Sequence, residues 1–336
     1  MRRPRTLTWR IAGAVGALSV VAAGGLAHAA PRAQQIWQWV SEPQAGFRPW
    51  DQALQHAITG VDVNAYLLTD RPYAAALIQV AHRGIPVQVI LAANPYDDTA
   101  AVTTERHLFA GTRVHVRWAP ARFDRPYATD HAKYLLVNPG HRNALAIIGS
   151  PNGTASAFGG WNAEDALETT NRATTTALAA TFHADWTDHL AGPAPRRALM
   201  LSPGAQPALR ALLTAPGPVA VTTEEVGDVP TLWSALAAHH HNARLLLPTS
   251  AVDSAAAQSR LKQLERAGVH VRTLQTPYLH AKALITATTT WVGSQNWSAP
   301  SMTSNREVGL VVANARIHRQ ALHWFDRLWQ SARPWH

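Results

Sequence analysis

Cysteine is absent from this 336-residue chain. That excludes disulfides, a lipid-modified cysteine and all thiol chemistry, so stability has to come from packing. Charge is sparse too: 15 % of residues are Asp, Glu, Lys or Arg against 47 % hydrophobic, a balance too apolar for extended disorder. The apolar run Ile11–Leu26 falls short of the roughly 20 residues that span a bilayer. No basic stripe with interleaved aromatics is present, which weighs against nucleic acid as the partner. The 17 histidines include no Asp/His set at metal-ligand spacing, so neither a metal nor another cofactor is expected. His239, His240 and His241 are consecutive and suit a helix C-terminus, where cations are favoured.

What is present begins with a basic segment, MRRPRTLTWR, followed by that apolar run and by AHAA. This order predicts an export signal over residues 1–29, with Ala27 and Ala29 in the small-x-small arrangement of a cleavage site, and a periplasmic or secreted destination. Formal charge is +9, and four of the basic residues (Arg2, Arg3, Arg5, Arg10) belong to that segment. The remainder carries 26 basic and 21 acidic residues, or +5, which suits an anionic substrate without choosing between lipid and nucleic-acid phosphodiesters.

One ordered set of residues occurs twice. Asp130–Asn138 reads DHAKYLLVN and is followed by IGSPN (148–152) and WNAEDAL (161–167). Leu279–Thr286 reads LHAKALIT and is followed by VGSQN (292–296) and SNREVGL (304–310). Each copy supplies a His and a Lys two apart, a Gly-Ser-x-Asn and an Asn-x-Glu. VHVR also recurs, at Val114 and Val269. Recurrence in the same order implies a duplicated unit and one composite site built from both copies. If each His-x-Lys lies in a strand, His131 and Lys133 share a face, as do His280 and Lys282. Gly149 and Gly293 would let backbone approach a bound group, with Ser150, Asn152, Ser294 and Asn296 as hydrogen-bond donors.

Short apolar runs such as 61–68, 86–93, 219–225 and 243–248 alternate with helical patterns such as 73–84, 230–241 and 254–268. This predicts an α/β protein: two similar lobes with mixed, mainly parallel sheets, packed together. The lobes are placed at 30–195 and 196–336, with the boundary in the Pro/Gly-rich stretch Ala191–Gly204. Residues 31–50 are expected to lead into a first helix near Asp51–Thr59. A final amphipathic helix is expected over Ala315–Ser331.

Together the His-x-Lys, Gly-Ser-x-Asn and Asn-x-Glu sets resemble the signature of the phospholipase D superfamily, over nearly all of the chain after the signal. The resemblance implies a bilobal fold and a metal-independent phosphodiesterase or phosphatidyl transferase. One motif histidine attacks phosphorus to give a phosphohistidine, and the other protonates the leaving alcohol. Lys133, Lys282, Asn152 and Asn296 would hold the non-bridging oxygens, with Ser150 and Ser294 as secondary donors. Glu164 and Glu307 would orient the histidines. The family's Asp five positions after each motif Lys is missing here, replaced by Asn138 and Ala287.

The expected activity is hydrolysis or transfer of phospholipid phosphodiesters at a membrane surface by a monomeric enzyme. A nuclease of the same fold and a non-catalytic phosphate-binding protein are the alternatives. The stretch Ala119–Thr129, with Arg122, Arg125 and Tyr127, is longer than its counterpart and is either a substrate-recognition loop or a plain turn. Glu224, Glu225 and Asp228 either line the cleft or sit in a solvated loop. Trp297 marks either a lipid-facing surface or packing.

Overall fold

A computed structural model describes residues 35–96 and 98–336. The expected export signal lies outside the described residues. Two eight-stranded sheets carry the fold. In the first, β1 (Trp37–Glu42), β2 (Val61–Ala65), β3 (Val87–Leu91), β4 (His115–Trp118), β5 (Tyr134–Val137), β6 (Leu145–Gly149) and β7 (Asn162–Thr169) lie in the spatial order β1-β7-β6-β5-β2-β3-β4, and Tyr278–Leu279 pairs with β7 as the eighth strand. In the second, β8 (Met200–Ser202), β9 (Val219–Thr222), β10 (Ala243–Pro248), β11 (His270–Leu274), β12 (Ala283–Ile285), β13 (Thr290–Gly293), β14 (Glu307–Val312) and β15 (Arg333–Pro334) lie in the order β8-β14-β13-β12-β9-β10-β11-β15. The strands that carry or follow the motifs therefore occupy the same places in both sheets.

The α/β class and the mixed sheets match expectation. Parallel pairing runs through β2-β3-β4 and through β9-β10-β11, where helices make the crossovers. The motif strands β5-β6-β7 and β12-β13-β14 pair antiparallel, because short connections join them. Strand β1 is a correction to the expected lead-in: the segment before the first helix pairs antiparallel with β7. Its Trp37-Gln38-Trp39-Val40 is rich in strand-favouring side chains.

Helices α1 (Arg48–Gln55), α2 (Arg71–His82) and α3 (Thr99–Phe109) accompany the first sheet; α4 (Arg172–Trp186) follows it. Then come α5 (Gln206–Leu213), α6 (Pro230–Ala237), α7 (Ala255–Arg266) and α8 (Ala315–Ser331). Local chemistry sets their ends. Asp70 caps α2 by accepting from Tyr73 N, and Asn314 caps α8 by accepting from Arg316 N and Ile317 N. Among the described residues no helix is long and apolar enough to cross a membrane.

Alternation along the strands sorts side chains into three cores. Leu135, Val137 and Ile147 face α1 and α2 on the outside of the first sheet. Leu245, Leu247 and Leu284 face α6 and α7 on the outside of the second. Between the sheets, Leu136, Ile148 and Leu167 meet Leu201, Ile285, Val308 and Leu310, closed by Phe182 of α4 and by Trp324 and Phe325 of α8. This shared core fixes one sheet against the other, and the motif segments lie at its edge.

One buried ion pair reinforces the junction. Arg306 donates from Nε and Nη2 to Asp185 of α4, each at 2.8 Å, and from Nη1 to Ser202 O at 3.0 Å. Arg122 reaches the same carboxylate at 2.7 Å and also bonds Asp188. Asn138, one of the replaced family positions, is structural. At φ 57° it accepts from Ile58 N (2.7 Å) and Thr59 N (3.0 Å) and donates to His56 O (3.0 Å), closing a loop at the far end of β5.

Candidate active site

The His-x-Lys residues are not inside strands, as expected, but immediately before them: β5 starts at Tyr134 and β12 at Ala283. The reason is visible in the backbone. Before reaching its own sheet, each segment is bonded to the other half. His131 N donates to Arg306 O at 2.9 Å and Arg306 N to Thr129 O at 3.0 Å. Tyr278–Leu279 pairs parallel with Asn162–Ala163, and His280 N donates to Ala163 O at 3.0 Å. Each histidine is thus stitched to the start of the other half's Asn-x-Glu strand.

The pairing that follows is crossed. His131 Nδ1 lies 2.9 Å from Glu307 Oε2, and His280 Nδ1 lies 2.7 Å from Glu164 Oε2. Glu164 also accepts from Ser150 Oγ (2.6 Å) and Asn162 Nδ2 (3.0 Å). Glu307 accepts from Ser301 Oγ (2.7 Å) and Asn305 Nδ2 (3.1 Å). The Asn of each Asn-x-Glu therefore positions its own glutamate. Burial would raise both carboxyls, but the facing histidine and a nearby lysine outweigh it and hold them below the ordinary range. Each can then accept Nδ1–H, which leaves Nε2 of the ring for a substrate.

Lys133 Nζ donates to His131 O at 2.7 Å, and its ammonium lies 4.8 Å from the Tyr66 ring centroid. Burial pushes Lys133 down to about 7 and His131 down to about 4, the latter against the pull of Glu307. Lys282 Nζ donates to His280 O and, at 2.9 Å, to Glu224 Oε2. Glu224 also lies 3.4 Å from His280 Nε2.

His131, His280, Glu224, Glu225 and Asn296 line one cleft of about 730 Å³, rimmed by Tyr66, Tyr96, Arg125 and Tyr127. A larger depression of about 1250 Å³ between α5 and α6 contains no motif residue. His239 there bonds the carbonyls of Leu213 (2.6 Å) and Gly217 (3.1 Å).

Several expected roles change. Ser150 and Ser294 are fully buried and turn toward the protein: Ser150 supports Glu164, and Ser294 Oγ accepts from Val308 N at 3.0 Å. Gly149 is required by a neighbouring strand rather than by a ligand, since a Cβ there would lie 2.2 Å from Asp165 O and 2.6 Å from Ala166 Cα. Asn296 lines the cleft and donates to Glu225 at 2.8 Å, while the Oδ1 atoms of Asn152 and Asn296 lack protein partners. Arg122 is committed to Asp185, whereas Arg125 and Tyr127 of the same loop reach the cleft. Asp228 is solvated and 4.0 Å from Arg260. Trp297 is fully buried, its ring centroid 4.7 Å from that of Trp233, so it packs and presents nothing to a lipid surface.

Tyr66, Ser301 and the Arg306–Asp185 pair belong to the site or its frame although no motif marks them. Asn162 and Asn305 were signalled by their recurrence in Asn-x-Glu. Ser301 and Tyr66 carry no local signal, because their places depend on which segments meet.

Comparison with known proteins bears on the fold and the family. The family described as "Cardiolipin synthase, PLD-like domain" matches residues 51–186 and 219–329. The chain is 31 % identical over 98 residues to the mitochondrial cardiolipin hydrolase of Homo sapiens, covering 29 % of this chain and 39 % of that protein. The corresponding Xenopus tropicalis protein is 34 % identical over 98 residues, covering 29 % and 47 %. The chain thus spans under half the length of these curated relatives. Among solved structures it is similar in fold to a phosphatidylserine synthase of Haemophilus influenzae Rd KW20, with TM-score 0.69, 9 % identity, and 89 % of this chain and 87 % of that one covered. It is also similar to the polyphosphate kinase of Porphyromonas gingivalis, with TM-score 0.64, 13 % identity, and coverage of 88 % and 47 %. Two interlocked His-x-Lys segments, a bilobal α/β fold and a family match across both halves lead to one conclusion: the chain belongs to the phospholipase D superfamily.

Proposed function

We propose that this protein is an exported phosphodiesterase that cleaves membrane phospholipids through a covalent phosphohistidine. The observation that carries the reading is the pair of crossed His–Glu contacts beside one cleft, at 2.9 Å and 2.7 Å, each accompanied by a motif lysine. Two histidines held in the same tautomer can attack and protonate on opposite sides of one phosphorus.

The two are not equivalent. Burial keeps His131 neutral at ordinary pH, so its Nε2 lone pair is available to form the P–N bond. His280 stands between two carboxylates, Glu164 at 2.7 Å from Nδ1 and Glu224 at 3.4 Å from Nε2, and is assigned the acid role. In the first step the lone pair of His131 Nε2 attacks phosphorus; the ester oxygen departs with its bonding pair and takes the proton from His280. In the second, neutral His280 removes a proton from water or an acceptor alcohol, whose oxygen displaces His131. Lys133 and Lys282 stabilise the charge that grows on the non-bridging oxygens in both steps.

Phospholipid is preferred as the substrate class because the sequence has no basic stripe with interleaved aromatics, and because the family description and the curated relatives name cardiolipin. Purified protein is assayed on phospholipid vesicles, with ethanol as a competing acceptor, and on plasmid DNA. Release of phosphatidate or phosphatidylethanol supports the reading; nicking of plasmid with intact lipid overturns it in favour of a nuclease. Export is tested by fractionating cells that express the full chain.

A further inference from the structure

Strand register allows the two halves to be compared position by position. In the first sheet Leu136, Asp62, Gln88 and His115 form one cross-strand row over β5, β2, β3 and β4. In the second the same row reads Ile285, Ala220, Arg244 and His270 over β12, β9, β10 and β11. The residues of a row share a face of their sheet. Each row is accompanied by the same aromatic pair. Phe182 and Trp186 of α4 stack with ring centroids 5.6 Å apart and planes at 20°, and Phe325 and Trp329 of α8 stack with the same two values. Arg117 lies 4.5 Å from the Trp186 ring centroid and donates to the Trp186 carbonyl at 2.7 Å. Arg272 lies 4.9 Å from that of Trp329 and donates to its carbonyl, also at 2.7 Å.

What stands between row and helix differs. In the second half the Arg244 guanidinium lies 4.8 Å from the Phe325 ring centroid and 5.7 Å from that of Trp329, and donates to Asp326 of α8 at 2.7 Å. In the first half Gln88 takes the place of Arg244 and His183 that of Asp326, so that neither the cation nor its carboxylate recurs. A carboxyl appears on the sheet instead: Asp62, where the second half has Ala220. Asp62, Gln88, Phe182, His183 and Trp186 line a cavity of about 300 Å³. Asp62 is 8 % exposed, no partner among the described residues bonds its carboxyl, and burial alone pushes it up to about 7. A carboxylate in such a place is costly without a cation or donor beside it. Aromatic faces attract guanidinium and ammonium groups. The first half therefore keeps an acid and the aromatic pair of an arginine site, without the arginine.

We propose that this cavity binds a small organic cation, a guanidinium or primary ammonium on a short apolar stem, held by the Asp62 carboxylate against Phe182 and Trp186 in the place that Arg244 fills in the other half. Its lining shares no residue with the catalytic cleft, so the site is independent of the cleavage reading. The titratable and charged groups that face Asp62 are Tyr134 of β5, His115 and Arg117 of β4 and His183 of α4. Binding of the cation requires Asp62 to give up its proton, so affinity rises with pH up to about 7. Positive charge on either histidine at acid pH acts in the same direction.

The test is titration calorimetry of the purified full chain with propylguanidinium and with propylurea, its neutral isostere, at constant ionic strength. We expect the cation to bind tighter than the urea by about tenfold or more at about pH 8, and Asp62→Asn to remove that difference. Equal binding of the two, or a cation preference that survives Asp62→Asn, overturns the site. Glu224→Gln is the control for the other buried acid wall: loss of cation binding there but not in Asp62→Asn places the cation in the catalytic cleft and overturns the proposal. Should Asp62→Asn not fold, Ala179→Leu, which fills the same cavity from α4, is expected to abolish binding, and unchanged binding overturns the site. Cation affinity is further expected to rise about tenfold or more from about pH 5 to about pH 8, and a flat profile means that no ionised Asp62 is involved.

Discussion

His131 is hydrogen-bonded at 2.9 Å to Glu307, 176 positions further along the chain, rather than to the glutamate of its own half. A residue and its positioning partner that act as one unit are not additive. The double variant His131→Ala/Glu307→Gln is therefore expected to lose no more turnover than His131→Ala alone, while Glu307→Gln alone loses about 10²- to 10⁴-fold in kcat. The partner in the same half gives the contrast. Glu164→Gln acts through His280 instead, so phosphoenzyme should still form on His131 but more slowly, because the leaving oxygen departs in the same step.

The proposed mechanism makes each histidine indispensable. His131→Ala and His280→Ala are each expected to lower kcat by at least about 10³-fold. Quenched-flow trapping with labelled substrate should place phosphate on the peptide containing His131. Label on His280 would reverse the assigned roles.

The pH profile of activity has two origins. His131 is neutral above about 4, so kcat/KM falls on the acid side only as pH drops through that value and the nucleophile protonates. Lys133 is charged below about 7 and loses its charge above it, so KM for an anionic diester rises on the alkaline side. Lys133→Arg keeps the charge and is expected to flatten that alkaline rise in KM, even where kcat suffers from altered geometry.

Stability depends on pH in the other direction. Burial raises Glu42, Asp62, Glu105, Asp130 and Asp165 to about 7 each. In an unfolded chain such groups titrate near about 4. Between those values the native state binds more protons, so stability falls as pH rises through the window. His131 and His318, held down by burial, and Lys133 above about 7 oppose this, against five carboxyls with large upward shifts. Calorimetry should therefore give a higher Tm near about pH 5 than near about pH 7.5.

The ion pair at the lobe junction is predicted to be structural. Asp185→Ala leaves Arg306 buried without its carboxylate and should destabilise by about 3–5 kcal/mol in urea denaturation. Asp188→Ala, whose side chain is 63 % exposed, should cost well under about 1 kcal/mol.

The sequence made some of this legible and hid the rest, for physical reasons. Repetition exposes His131, Lys133, Glu164 and their counterparts, because two ordered sets do not arise from composition. Periodicity finds α8, whose end residues fall where the apolar stripe and Asn314 put them. It cannot find which glutamate faces which histidine. That depends on Tyr278–Leu279 and Asp130 joining the other half's strands, a contact between segments more than 100 residues apart. The strand β1 was missed because its pattern is set by pairing with β7. The directions of Ser150 and Ser294 were missed because a motif gives residue types and not the faces they present. In the sequence Glu224 is only a carboxylate after a strand; its contacts with Lys282 and His280 give it a place in the cleft.

The stitching of each histidine segment to the opposite strand also makes activity a gauge of the seam. Loss of the junction uncouples both His–Glu pairs at once, since each pair straddles it. No intermediate with one working half is available, and turnover under mild denaturant should follow the loosening of the interface as a single step.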